Sequence, residues 1–101
     1  MDETLLSTYL NKAKLALRVT TDVFDSEIED IIQAGYADLE TRGVLMSEKA
    51  EDPLVVRALM TYVRMHFGEP ESPERLKQSY WEQKAALMST SGYTEWGDTD
   101  G

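Results

Sequence analysis

The chain has no cysteine. Disulfide staples, thiolate metal sites and a cysteine nucleophile are thereby excluded, and the absence fits a reducing cytosol. Long apolar runs are also missing: nothing approaches the roughly 20 residues that span a bilayer. The opening stretch, MDETLLSTYL, is acidic where a secretory leader would be basic. The expectation is a soluble intracellular protein with no membrane association. Positive charge is scarce, with ten Lys and Arg against nineteen Asp and Glu and a net charge of −9. Non-specific nucleic-acid binding needs Lys and Arg to displace counterions from phosphate, and no run of them is present. Such a surface repels DNA on average and points to protein partners.

Catalytic chemistry is thin as well. His66, in RMHFG, is the single histidine. It has no Ser or Cys nucleophile motif near it and no HExxH-type metal spacing, and a cation at a helix end is favourable in its own right. The acidic run DSEIED lacks the glycine and closing glutamate of a calcium loop. There is no glycine-rich phosphate loop. The reading is a protein with no enzymatic activity, no metal and no cofactor.

What is present is a 101-residue chain, 42% hydrophobic, enough for one modest core. Its spacing predicts an all-α fold, a small bundle of about four helices over residues 1–91, with a flexible C-terminal tail over 92–101. In the first segment Leu5, Leu6, Leu10, Ala13 and Leu17 recur at three and four, and the helix is expected to stop near Arg18. Asp22 or Asp25 is the expected cap of the second, whose stripe is Ile28, Ile31, Ile32, Gly35 and Leu39. Gly35 costs about 1 kcal/mol inside a helix relative to Ala, which suggests close helix–helix contact. Gly43 follows Arg42 as a left-handed terminator. VLMSEKAE reads as a loop tucked in by Val44 and Leu45. Asp52–Pro53 opens a third helix with a wide apolar face, Leu54 to Phe67, expected to be the most buried.

Ser72–Pro73 opens a fourth helix with two stripes. Leu76, Tyr80 and Leu87 form one; Trp81, Ala85 and Met88 form the other, about 100° round. One small core rarely covers both, so the second stripe is expected to meet a neighbouring protein. The tail, GYTEWGDTDG, is too rich in Gly, Asp and Thr to fold alone, yet it carries Tyr93 and Trp96. Trp81, Met88, Tyr93 and Trp96 are therefore the candidate interface residues. Exposed parts of the first helix, such as Tyr9, are a candidate for the opposing patch.

Three stretches carry a resemblance: KLALRVTTDVFDSEIEDII leading into the second helix, the VRMHFGEPE turn, and SYWEQKAALMSTSGYTEW at the end. Together they resemble the small head–tail connector proteins of long-tailed bacteriophages, also called head-completion or adaptor proteins, over nearly the whole chain. None of the three is a catalytic motif. The resemblance implies a helical virion protein, present in the host cytoplasm during assembly. It implies a ring on the portal protein around the DNA channel, following the portal's twelvefold symmetry, with a tail-completion protein on the far side. DNA would pass through without specific binding. The end of the fourth helix and the tail would then reach the portal, with Tyr93 and Trp96 as anchors.

Elementary energetics agree with a ring. Ordering ten backbone residues costs as much as or more than burying two aromatic rings contributes, so one tail alone binds weakly or not at all and several bind by avidity. Acidic side chains facing a channel would repel phosphates within about 8 Å at physiological salt. Two other readings compete. An acidic DNA mimic would need carboxylates spaced like phosphates along one face, and here they are scattered. A small helical regulator with a helix-turn-helix would need a basic recognition helix, and none is present.

Overall fold

The computed structural model describes residues 1–89; the tail expected over 92–101, with Tyr93 and Trp96, lies outside them. Among the described residues the chain is helical with no strand ladder: α1 Glu3–Leu17, α2 Asp25–Thr41, α3 Met46–Lys49, α4 Pro53–His66 and α5 Pro73–Ser89. The all-α expectation holds. The four long helices are those read from the spacing, and α3 is a single extra turn in the stretch read as a loop.

Local chemistry sets the boundaries. Asp2 caps α1, its Oδ1 accepting from the Leu5 N–H at 2.7 Å. The helix ends at Arg18, which takes the left-handed conformation (φ 59°) so that its own N–H and that of Val19 reach back to Leu15 and Lys14 carbonyls. Asp52 caps α4 through the Leu54 N–H at 2.9 Å, with Pro53 at the first helical position as anticipated. Gly43 does adopt positive φ (99°), which lets the Val44 N–H close on the Leu39 carbonyl.

The cap expected from Asp22 or Asp25 is a correction. Phe24 occupies the cap position of α2 and no side chain bonds there. Both carboxylates instead hold Lys14 of α1, at 2.7 and 2.9 Å, tying the ends of the first two helices together. The aspartates answer a lysine on the neighbouring helix rather than the free N–H groups below them.

The core runs along α4, which packs against α1, α2 and α5. Val55, Ala58, Leu59 and Val63 are buried on it, alongside Ile28, Ile32 and Leu39 of α2 and Tyr80 and Leu87 of α5. Val44 and Met46 plug the bottom, with Met46 deeper than Leu45. Tyr9 is a second correction: it is 0% exposed, its hydroxyl donating to the Ala50 carbonyl at 2.6 Å, so it is a core strut and no part of an outer face.

Gly35 is where α2 meets α4. A β-carbon built there would lie 2.7 Å from Tyr62 Cδ1 and 2.8 Å from Leu59 Cδ1. The glycine is the contact the spacing suggested. Gly35→Val should lower stability by about 1–3 kcal/mol, read as a fall in Tm, because it overpacks a site where Leu59 has nowhere to go. An unchanged melting curve would mean the two helices do not touch at this point.

Candidate functional site

The surface with most to explain lies on α5. Its inner side is built from Tyr80, Lys84 and Leu87, all buried, spaced four and three apart. Tyr80 and Leu87 belong to the stripe expected to pack at home. Lys84 does not follow from apolar spacing: it is 3% exposed, and its Nζ donates to Asp38 Oδ2 at 3.1 Å. The Tyr80 hydroxyl donates to the same oxygen at 2.5 Å. One carboxylate on α2 thus receives two donors from α5.

This cluster shapes its own titration. Burial works against the ionised Asp38 carboxyl, yet the Tyr80 hydroxyl, the Lys84 ammonium and the charge of Arg42 outweigh it and hold the group below its ordinary range. The Tyr80 phenol is pushed strongly upward, first by burial, then by its hydrogen bond to Asp38 and that group's charge. Tyr62 is raised too, by burial and by Asp38. Its ring stands edge-on to Tyr80 (5.3 Å between centroids) and rests against His66 (4.3 Å). His66 is exposed on the last turn of α4.

Above the cluster stands Trp81, 50% exposed. The Lys84 ammonium lies 4.1 Å from its ring centroid on one side and the Arg42 guanidinium 5.8 Å away. Ala85 is exposed and Met88 half-buried beside it. The second stripe is open to solvent along much of its length, and Trp81 is not a core residue. A shallow depression of about 390 Å³ flanks the indole, with Tyr62, Met65, His66 and Lys77 in its walls.

The opposite flank of α5 carries a second depression, about 360 Å³, between α4 and α5. Leu54, 52% exposed, forms its apolar wall with Ala86 and Leu87; Arg57, Ser79, Glu82 and Gln83 complete it. Gln83 Oε1 is sealed from solvent and has no hydrogen-bond partner. Sequence reasoning did not find this groove. Leu54 was assigned to the buried face of its helix, but as the second residue of α4 it projects past the end of the core. A further apolar exposure escaped it at the α1–α2 turn, where Leu15 and Val23 are each 80% exposed.

Among the described residues no group of three or more His, Cys, Asp or Glu side chains is arranged to hold a metal ion. No helix among them is long and apolar enough to cross a membrane. The described residues present a projecting indole on one flank of α5 and a groove on the other. These features define a small all-α protein with two partly apolar faces on α5 open to solvent.

Its family is narrower than that. The sequence pattern of the phage connector protein family matches residues 9–94, and the chain belongs to that family. No curated protein and no solved structure matches it. The match spans all of α2 to α5 and most of α1, so the faces just described sit within the part of the chain the family shares.

Proposed function

We propose that this connector assembles as a ring on the portal protein around the DNA exit channel and joins the head to a tail-completion protein. The observation that carries the reading is the open Trp81 stripe on α5, in a chain of the connector family. An indole half in water on a helix whose opposite side packs on the core is the type of residue that anchors protein interfaces. The surplus of acidic residues suits a ring through which DNA slides without sticking. Twelve copies are the natural number if the ring follows a twelvefold portal.

In this reading the end of α5 and the residues after it reach the portal, with Tyr93 and Trp96 as anchors and Trp81 and Met88 facing a neighbour. The test is retention on immobilised portal protein, comparing the full chain with one ending at Ser91. The full chain should be retained and the shortened one largely lost, since avidity multiplies the loss from each tail. Equal retention would remove the tail from the interface.

A further inference from the structure

We infer that the two flanks of α5 are the two halves of one contact between copies of this chain: Trp81 of one copy seats in the groove between Leu54 and Gln83 of the next. The inference rests on the ring reading and adds to it the receiving face, which the sequence had placed at Tyr9 and the fold rules out.

Geometry comes first. Trp81 and Ala86 are five residues apart on one helix, about 140° round its axis. Knob and groove therefore point away from each other, and a chain cannot fill its own groove with its own indole. A second copy can. Its own Trp81 then stays free for a third, which is the head-to-tail arrangement that generates closed rings.

The chemistry of the two surfaces matches. An indole N–H can only donate. Trp81 makes ring contacts with Arg42 and Lys84, and its Nε1–H has no hydrogen-bond partner among the described residues. The groove supplies the opposite need in half-buried Gln83, whose Oε1 has no donor within the chain; a turn of that side chain on docking brings the sealed oxygen out to the indole N–H. Its apolar wall, Leu54 and Leu87, suits the body of the ring, and its volume of about 360 Å³ admits one. Each surface also carries charges of both signs, so each can offer a partner to the other. The groove presents Glu82 and Arg57, while Lys77, Arg42 and Glu74 surround the knob. A nucleic acid would find little to hold in a groove with one arginine and one glutamate. A second copy supplies each missing piece at once.

The chain lacks cysteine, so introduced pairs report without background. Ser79 lines the groove and Ala85 lies beside Trp81 on the other flank, too far round the helix to bridge within one chain. The full-length S79C/A85C protein, oxidised alone at high concentration and on portal protein, should give a ladder of covalent multimers. S79C and A85C singly should stay monomeric, and their mixture should stop at the dimer. Trp81→Ala should weaken self-association at least about 30-fold while leaving the helical circular dichroism intact. Trp81→Phe should weaken it about 5–10-fold in the native background and by clearly less in Gln83→Leu, because the part of the loss that came from the acceptor is then gone. Dimers of A85C alone would reveal a two-fold contact and overturn the pairing. Assembly without the ladder would overturn the pairing and leave the ring. A chain that assembles neither alone nor on portal would overturn the ring reading, and the pairing with it.

Discussion

Replacing Asp38 with alanine is expected to lower stability by about 3 kcal/mol, a fall in Tm of roughly 12–24 °C for a domain of this size. The reason is Lys84. It is almost wholly buried, and the carboxylate is its hydrogen-bonded counter-charge at 3.1 Å. Without Asp38 the ammonium is left in low dielectric with only the faces of Tyr80 and Trp81, 4.7 and 4.1 Å away, for company. The lower end of the range for broken buried pairs applies because the Asp38 side chain is itself 30% exposed. Tyr80 loses its acceptor in the same substitution. Lys84→Met should cost less, about 1 kcal/mol, since the stem is already packed and the Asp38 carboxylate left behind is partly exposed and keeps the Tyr80 hydroxyl. In the double variant most of the loss should return.

The pH dependence has a definite sign. Asp38 titrates below its ordinary value of 3.8 in the folded chain, so its contribution is complete above the unfolded carboxylate range. It disappears as pH falls through the depressed folded value. The gap in Tm between native protein and Asp38→Ala should therefore be widest near neutrality and close in strong acid. A gap that did not change with pH would mean that Asp38 acts by shape alone.

Tyr9→Ala should cost about 3–5 kcal/mol, enough to leave a marginal domain largely unfolded at room temperature. The ring is fully buried, stands 6.4 Å from Tyr36 and reaches the Ala50 carbonyl from across the bundle. It pins α1 to the turn that precedes α4. Tyr9→Phe keeps the ring and should cost only about 1 kcal/mol, the net worth of one hydrogen bond. Burial, with Tyr36 and Glu51 adding to it, pushes the Tyr9 phenol up to about 12. A raised folded value means the contribution is complete below the unfolded value of 10.0 and is lost as pH rises toward 12. Native protein should lose stability over that alkaline window, and Tyr9→Phe should lose less. Equal alkaline profiles would show that the Tyr9 hydroxyl is not the group being protected.

The contrast between these two residues shows what the sequence could reveal. Trp81 and Tyr80 are neighbours, and the separation of stripes by about 100° placed one inside and one outside, as the fold has them. Helical periodicity is a local property, and it was legible. Lys84 shares the inner position with Tyr80, four residues earlier, and Leu87, three later. Its place in the pattern was visible, but its charge argued against burial, and the partner that permits it stands 46 residues away on α2. Tyr9 failed for the same reason. It lies four residues from both Leu5 and Ala13, inside the first stripe, but burying its hydroxyl needs an acceptor, and the carbonyl that supplies one is 41 residues distant. Asp22 and Asp25 looked like caps because capping is a local rule; Lys14, on a different helix, outbid the backbone. The groove at Leu54 was hidden because it depends on how α4 and α5 lie together, which no single helix encodes.

If copies dock through Trp81 as proposed, the cation contacts around its ring bear on how quickly they can meet. The Lys84 ammonium lies against the indole, the Arg42 guanidinium is close by, and Asp38 bonds Lys84. A side chain that already has packing contacts loses less freedom when it docks than a fully free one. Assembly would then be paced by how often two chains of like charge collide, and added salt should quicken it.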